Sequence, residues 1–134
     1  MAAAVADFRP VGAGAEKISR EGSEGLTVEL AENPDVVARL AGRRRPAQTL
    51  VGFAAEHGGD WIARAQAKLE RKGLDAIVAN DVSRPEIGFE SADNEVTFVT
   101  AEGAEPVPLA DKDRVAEAIC ELTAGLRAKR RSSV

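Results

Sequence analysis

Three lysines lie at positions where phosphate-binding chemistry is possible. Lys68 and Lys72 are four positions apart, so a helix places both ammonium groups on one face. Two ammonium groups at that spacing suit a triphosphate, whereas lysines on an amphipathic helix are usually only solvated. Lys17 lies in a loop with three glycines between residues 11 and 22, which predicts a mobile segment. The spacing alone leaves both interpretations of the helix lysines open.

Polar residues also follow the predicted strands, at the edge where parallel sheets bind ligands. In open α/β sheets, ligands lie beyond the carboxyl ends of the strands, so three strand ends are expected to share one rim with the Lys17 loop. The rim residues are Asp7, Arg9, Phe53, Glu56, Asn80, Asp81, Val82 and Ser83. Asn80 and Asp81 are equally typical of a turn, so they rank second as binding candidates.

Asn33, Pro34 and Asp35 predict the start of a helix. Asn is a preferred N-cap, Pro is favoured at the first helical position, and an acidic residue suits the first turn. The free backbone N–H groups at such a helix end can hold an anion. Capping alone explains the same residues and is the better supported interpretation on spacing.

Nucleophilic and metal chemistry find little support in the sequence. His57 follows a strand-end glutamate and is a candidate base, but no paired nucleophile accompanies it. One histidine and one cysteine, Cys120, are too few ligands for a metal site. We therefore predict no metal site made by protein ligands alone.

The composition predicts one soluble globular domain. The chain has 134 residues, 44% of them hydrophobic and 30% charged, with a formal net charge of −4. This acidic balance argues against a nucleic-acid partner. No apolar run reaches the roughly 18–20 residues that cross a bilayer, and the N-terminus lacks the pattern of a signal peptide. A single cysteine suits a reducing compartment, so a cytoplasmic location is expected.

Hydrophobic periodicity predicts strands that alternate with helices. The predicted strands are residues 2–6, 26–30, 49–55, 74–80 and 95–100, and the predicted helices are residues 33–42, 60–72 and 111–127, with a short segment at 107–109. Such alternation predicts βαβ crossovers. No dinucleotide-binding fingerprint or P-loop is present. The expected fold is α/β: an incomplete Rossmann-like, mostly parallel sheet with flanking helices, plus a C-terminal β-hairpin and helix.

An ordered series of segments carries a more specific signal. The series comprises residues 3–10, 16–18, 26–30, 33–35, 51–56, 68–72, 79–83, 88–89 and 93–94. In this order the segments resemble phosphopantothenate–cysteine ligase, which in bacteria is commonly joined to a phosphopantothenoylcysteine decarboxylase in a bifunctional coenzyme A biosynthesis flavoprotein. The resemblance runs from residue 2 to about residue 126. It implies that residues 1–128 are a partial ligase domain without its N-terminal part. The basic, serine-containing sequence of residues 129–134 predicts a flexible tail.

The resemblance implies a CTP-dependent ligase that joins 4′-phosphopantothenate to L-cysteine through an acyl-cytidylate. The implied co-substrate is CTP with Mg²⁺, and no FMN is expected because the flavin-binding decarboxylase is absent. The implied partners are a second copy in a homodimer and the missing N-terminal half of the ligase or the decarboxylase domain. The chain is expected to need that missing half for activity. The alternative is a non-catalytic nucleotide-binding or subunit-interaction fragment, and neither interpretation involves nucleic acid or a membrane.

The resemblance also assigns site residues. Lys17 is implied to be the catalytic lysine of a flap that closes over the nucleotide and stabilises phosphate charge. The implied CTP-binding residues are Asp7, Lys17, Asn33, Pro34, Asp35, Val36, Phe53, Lys68 and Lys72, with Asn80 and Asp81 as second-rank rim candidates. The flap of the family usually reads Lys-Ile-Lys-Lys, whereas Ser19 and Arg20 occupy the last two positions here. The loss of one positive charge is expected to weaken phosphate clamping.

Overall fold

The computed structural model describes residues 5–12, 25–83 and 92–132. These residues fall into two compact units, and each is described by itself. The N-terminal unit covers the chain from residue 3 to Val36, and the C-terminal unit begins at Val37. The flap residues Lys17, Ser19 and Arg20 lie outside the described residues.

A short two-stranded antiparallel sheet forms the N-terminal unit. Strand β1 (Phe8–Pro10) pairs with strand β2 (Leu30–Glu32), so that Arg9 lies opposite Ala31. Backbone hydrogen bonds extend the ladder at both ends: the N–H of Val11 donates to the carbonyl of Glu29 at 2.9 Å, and the N–H of Asn33 donates to the carbonyl of Asp7 at 2.8 Å. Nearly every described residue of this unit is exposed.

Both strands predicted in this part of the chain need correction. Residues 2–4 of the first predicted strand lie outside the described residues, and Val5 and Ala6 are exposed and not in a strand. The second predicted strand, residues 26–30, contributes only Leu30 to a strand. Three-residue strands without a buried face leave no hydrophobic alternation, so periodicity could not locate them.

Helix α1 (Val36–Ala41) begins two residues after Pro34, the predicted first helical position. Asn33 is therefore not its N-cap, because its side chain is hydrogen-bonded within the N-terminal unit instead. The predicted end at Gly42 is confirmed: the N–H of Gly42 donates to the carbonyl of Ala38 at 3.0 Å, after which the helix stops.

The C-terminal unit is a four-stranded mixed sheet with a helix on each face. Its strands are β3 (Val51–Glu56), β4 (Ala76–Asp81), β5 (Asp93–Thr100) and β6 (Gly103–Asp111), hydrogen-bonded in that order, and its helices are α2 (Trp61–Lys72) and α3 (Lys112–Ser132). β3 and β4 are parallel and joined by α2, whereas β4–β5 and β5–β6 are antiparallel. The predicted α/β class, flanking helices, C-terminal hairpin and final helix are confirmed, with one parallel pair among the described strands.

The buried residues of β4 alternate between two cores. Ile77 and Ala79 pack with Ala65 and Leu69 of α2, while Val78 belongs to the opposite core. That second core also contains Ala76, Val96, Phe98, Val107 and Val115, with α3 packed against it. β4 is thus buried on both faces, as the continuous apolar run of its sequence predicts.

Both α2 and α3 begin where predicted, each after an aspartate N-cap, whereas α3 ends later than predicted. Asp111 caps α3 by accepting a hydrogen bond from the N–H of Arg114 at 2.9 Å. Asp60 caps α2 by accepting a hydrogen bond from the N–H of Ala63 at 3.3 Å, and Gly73 closes it in the left-handed conformation with φ 63°. α3 continues to Ser132, so the basic residues predicted to form a flexible tail are helical as far as the structure describes them. No helix among the described residues is long and apolar enough to span a membrane.

Candidate functional site

The carboxyl ends of β3 and β4 bring two carboxylates to one rim of the sheet. The parallel register pairs Glu56 with Asp81 and Ala55 with Asn80. The N–H of Val82 also donates to the carbonyl of Glu56 at 2.8 Å, which fixes the two strand ends together. The rim expected for the residues of β3 and β4 is therefore confirmed. Asp7 and Arg9 belong to the separate β1–β2 sheet, so their prediction as strand ends of the parallel sheet is wrong.

Glu56 is the centre of an ion-pair cluster with two cations from α2. Lys68 donates from Nζ to Oε1 of Glu56 at 2.5 Å, and Arg64 donates from Nε to Oε2 at 3.1 Å. The carboxylate side chain is 6% exposed, whereas the side chains of Lys68 and Arg64 are 37% and 44% exposed. We call these three residues the Glu56 cluster. Its buried anion lies beneath two cations that reach solvent.

The pKa of Glu56 reflects these contacts. Burial opposes ionisation of the carboxyl and by itself raises its pKa. The hydrogen bonds and positive charges of Lys68 and Arg64 outweigh that effect, so the pKa of Glu56 lies below its ordinary value of 4.5. Glu56 is therefore ionised at neutral pH, and the cluster carries a net charge of +1.

A tight glycine turn connects β3 to α2 beside the cluster. Gly58 and Gly59 both adopt positive φ, 57° and 63°, a conformation that costs other L-residues steric strain. Nη2 of Arg64 donates to the carbonyls of His57 and Gly58 at 3.1 and 2.5 Å. One guanidinium thus joins the turn to the carboxylate of Glu56.

Asp81, at the carboxyl end of β4, is hydrogen-bonded to Ser83 and to the glycine turn that follows β3. Its Oδ1 accepts hydrogen bonds from Oγ of Ser83 at 2.6 Å, from N–H of Ser83 at 3.0 Å and from N–H of Gly58 at 3.4 Å. The bonds from Ser83, then the bond from Gly58 and the nearby His57, lower the pKa of Asp81 below its ordinary value of 3.8. The ionised carboxylate of Asp81 therefore fixes this part of the rim by accepting hydrogen bonds from two backbone N–H groups and one hydroxyl.

The other residues predicted for the C-terminal unit occupy different parts of it. Phe53 is 54% exposed, and strand alternation places it on the sheet face covered by α3, opposite to the α2 side on which the Glu56 cluster lies. Lys68 belongs to the cluster, whereas Lys72 lies one turn further along α2, near Gly73. Asn80 is half-buried in β4.

In the N-terminal unit, Asn33 ties together the backbone around Asp7. Nδ2 of Asn33 donates to the carbonyl of Ala6 at 2.8 Å, and its Oδ1 accepts from Nη1 of Arg9 at 3.2 Å. Arg9 also donates to the carbonyl of Glu32 at 2.6 Å. Pro34, Asp35 and Val36 follow as exposed residues. Asp7 and Asn33 are thus adjacent in the N-terminal unit.

Sequence reasoning missed Arg64 and the role of Glu56. It paired Lys68 with Lys72, but the pair that faces Glu56 is Arg64 with Lys68, also four positions apart. A strand-end glutamate followed by two cations at helical spacing was the available signal. Among the described residues, no three His, Cys, Asp or Glu side chains are grouped so as to hold a metal ion.

The fold and the cluster together define an α/β unit with a charged rim at the carboxyl ends of its parallel strands. The family model described as "DNA/pantothenate metabolism flavoprotein C-terminal domain" matches residues 1–126. The chain belongs to this family.

Relatives with established names share this region. The chain is 44% identical over 121 residues to the coenzyme A biosynthesis bifunctional protein CoaBC of Vibrio cholerae, covering 90% of this chain and 30% of that protein. It is 43% identical over 113 residues to the CoaBC of Mycolicibacterium smegmatis, covering 78% and 27%. It is 37% identical over 121 residues to the Escherichia coli K12 protein, covering 89% and 30%. The chain thus spans less than a third of the length of these relatives.

Solved structures show the same fold. The crystal structure of the C-terminal domain of CoaBC superposes with a TM-score of 0.65 at 30% identity, over 94% of this chain and 53% of that one. The DNA/pantothenate metabolism flavoprotein of Streptococcus pneumoniae also gives a TM-score of 0.65, at 23% identity, over 92% and 57%, which supports the fold alone.

Proposed function

We propose that this chain supplies the CTP-binding part of a phosphopantothenate–cysteine ligase in coenzyme A biosynthesis. The observation that carries the proposal is the Glu56 cluster, which presents two cations above a buried carboxylate at the carboxyl ends of parallel strands. This is where open α/β sheets bind ligands. Membership of the family and the CoaBC relatives support a role in coenzyme A biosynthesis, and the ligase reaction is taken from the resemblance of the sequence segments.

The reaction we propose forms an amide in two steps. The carboxylate of 4′-phosphopantothenate attacks the α-phosphate of CTP·Mg²⁺, which releases pyrophosphate and leaves an acyl-cytidylate. The amine of L-cysteine then attacks the acyl carbon and CMP leaves. Both steps develop negative charge on phosphate oxygens, so cations fixed in advance at the site lower the barrier. Water must also be excluded, because the mixed anhydride hydrolyses readily.

Within the C-terminal unit, we assign the nucleotide to the carboxyl end of β3. Lys68 and Phe53 lie on opposite sides of this strand, so a nucleotide that contacts both reaches across its end. Lys68 supplies positive charge, the exposed ring of Phe53 offers an apolar surface for packing, and Lys72 adds a second ammonium further along α2. Asn80 and Asp81 remain candidates on the same rim.

Residues of the N-terminal unit and its flap are assigned from the resemblance. Asp7 and the stretch Asn33–Val36 are proposed to contact CTP, with Asn33 holding the backbone next to Asp7. Lys17 is proposed to stabilise phosphate charge during acyl transfer. The remaining half of the ligase, a second copy of the chain and the decarboxylase of a bifunctional protein are its proposed partners.

A thermal-shift titration of the chain with Mg·CTP, with Mg·ATP as the control, tests nucleotide binding. A ligand that binds only the folded state raises its stability by about 2.7 kcal/mol at a hundredfold excess over Kd. We expect a rise with CTP that exceeds the rise with ATP and that is lost in Lys68→Met. A folded chain that responds to neither nucleotide favours the non-catalytic subunit interpretation.

The role of Lys17 requires a turnover assay with the complementary half of the ligase. We expect Lys17→Ala to leave CTP binding largely intact and to suppress formation of 4′-phosphopantothenoylcysteine. Ser19→Lys, which restores the usual flap charge, serves as the comparison and is expected to keep or raise turnover. Unchanged turnover in Lys17→Ala would remove the catalytic role of this lysine.

A further inference from the structure

The carboxylate of Glu56 does more than neutralise a nearby cation, because a different cation holds each of its two oxygens. Its carboxylate is 6% exposed and receives one cation on each oxygen, Lys68 on Oε1 and Arg64 on Oε2. The backbone of Glu56 is itself fixed, since its carbonyl accepts the N–H of Val82. The carboxylate is therefore a rigid anchor, and both cations that it holds remain partly exposed.

From this arrangement we infer that Glu56 is a positioning residue for nucleotide binding: it holds the Lys68 ammonium in the place where it meets phosphate charge. The inference rests on the proposed function, in which Lys68 contacts CTP. A lysine on a surface helix has many rotamers, and ordering them on binding costs free energy. The anchor removes that freedom before the nucleotide arrives, so less of the binding energy is lost to ordering.

Arg64 extends the same anchor to the backbone. While Nε pairs with Glu56, Nη2 donates to the carbonyls of His57 and Gly58 at 3.1 and 2.5 Å. A change in the position of the carboxylate is therefore transmitted to the glycine turn as well as to Lys68. Arg64 is a second positioning residue, which acts through Glu56 and the turn.

The direction in which Glu56→Gln changes the affinity for Mg·CTP distinguishes positioning of Lys68 from simple charge compensation. Glu56→Gln removes a negative charge beside the proposed phosphate site and keeps the shape of the side chain. If Glu56 only offset the charge of Lys68, this variant would bind Mg·CTP more tightly. If Glu56 positions Lys68, Mg·CTP binding weakens by about tenfold or more, the effect of losing a hydrogen bond to a charged group.

The experiment measures the Kd of Mg·CTP and of inorganic triphosphate by calorimetry in the wild-type chain, Glu56→Gln and Glu70→Gln. Glu70 is exposed on the same helix, so its variant reproduces the charge change without touching the cluster. We expect Glu56→Gln to lose affinity for both Mg·CTP and inorganic triphosphate, because both present phosphate charge to Lys68, and Glu70→Gln to keep both affinities. Equal or tighter CTP binding in Glu56→Gln overturns the inference while leaving the proposed function intact.

Two further measurements cover the remaining outcomes. Acylation of Lys68 by an amine reagent, read by mass spectrometry, is expected to be faster in Glu56→Gln than in the wild type; an unchanged rate overturns the anchor. If Glu56→Gln does not fold, Glu56→Asp, whose carboxylate is one methylene shorter, is expected to show an intermediate loss of CTP affinity, and full affinity overturns the inference. A wild-type chain that does not bind Mg·CTP and shows no protection of Lys68 overturns the inference together with the proposed function.

Discussion

The ionised carboxylate of Glu56 makes the stability of the chain depend on acid pH. Its pKa in the folded state lies below the ordinary value of 4.5, so the unfolded chain binds more protons between the two values. The stabilisation is complete above pH 4.5 and is lost as the pH falls through the lower, folded pKa. We expect urea unfolding between pH 7 and pH 3 to show a smaller acid loss in Glu56→Gln than in the wild type. An equal loss in both would assign the acid sensitivity to other groups.

Asp81 offers a second test, of a single hydrogen bond. The hydroxyl of Ser83 is the largest influence on its pKa, and the charge of His57 is the smallest. We therefore expect Ser83→Ala to raise the pKa of Asp81 toward its ordinary value, as measured by NMR titration of the carboxyl carbon. His57→Gln is the comparison and should move this pKa less. The reverse order would show that charge, rather than the hydroxyl contact, keeps the carboxylate ionised.

Sequence patterns found the strand-end residues of this site but not their pairing. Glu56 and Asp81 end apolar runs, and a parallel sheet brings such ends together. The partner of Lys68 depends on how α2 packs across β3, since Glu56 and Lys68 are twelve positions apart. Periodicity identifies the buried face of a helix and leaves open which flanking cation reaches a strand end. Asn33 was misassigned for a related reason, because its amide forms bonds with residues far earlier in the chain.

At the level of elements, the cap of α2 fixes the start of the helix that carries Arg64 and Lys68. Oδ1 of Asp60 accepts the N–H of Ala63, one of the N–H groups that the first turn leaves without a helical partner. Asp60→Ala should reduce the free energy of unfolding by about 0.5–2 kcal/mol, and Asp60→Ser should retain most of it. Urea denaturation of both variants measures this difference. Equal losses in the two variants would mean that the cap does not stabilise the helix.

The unit β3–α2–β4 was predicted well because all of its signals agree. Asp60 and Gly73 mark the helix ends, and a continuous apolar run marks β4. The end of α3 was placed too early, since its last turns are basic and carry no apolar stripe. Those turns are held by ion pairs with residues distant in sequence: Lys129 pairs with Glu102, and Arg130 pairs with Asp75.

Asp75 connects the last turns of α3 to the start of the parallel strands. It pairs with Arg130 through Oδ1, while its Oδ2 accepts from Arg44 at 2.8 Å and from the N–H of Leu50 at 2.7 Å. Arg130 also donates from Nε to the carbonyl of Pro46 at 2.9 Å, so Arg130→Met removes two hydrogen bonds. Loss of a charged hydrogen bond costs about 1.5–3 kcal/mol, so Arg130→Met should lower the unfolding free energy by at least about 1.5 kcal/mol.

Amide hydrogen exchange shows which part of the chain Arg130→Met destabilises. In Arg130→Met, amide protons of the last turns of α3 should exchange faster, while those of α2 should stay as in the wild type. Arg127→Met, an exposed arginine one turn earlier, is the matched control and should change neither. If both variants exchange alike, the contacts of Arg130 with Asp75 and Pro46 do not hold the helix end.

For the molecule as a whole, the two edges of the described four-stranded sheet differ in chemistry. β6 carries Pro106 and Pro108, which lack the N–H groups that an added strand needs. β3 has neither proline nor lysine, and Phe53 is 54% exposed on it. Natural sheets protect edges that face solvent and leave unprotected those that pair with another strand. The chain spans 53% of the solved CoaBC C-terminal domain. On the function proposed above, we expect the complementary half of the ligase to join at β3.

We expect the unprotected edge at β3 to make the chain associate with itself at high concentration. We expect sedimentation velocity of the chain to show concentration-dependent oligomers and Phe53→Lys to reduce them, because a charged side chain on an edge strand disfavours pairing with another strand. Leu109→Lys is the control, since Leu109 is 51% exposed on the proline-containing β6 and its substitution should leave association unchanged. Adding the complementary half should suppress self-association of the wild type, because both compete for β3. If Phe53→Lys associates as strongly as the wild type, the interface lies elsewhere, and the exposed Phe8 and Leu30 of the N-terminal unit become the next residues to substitute.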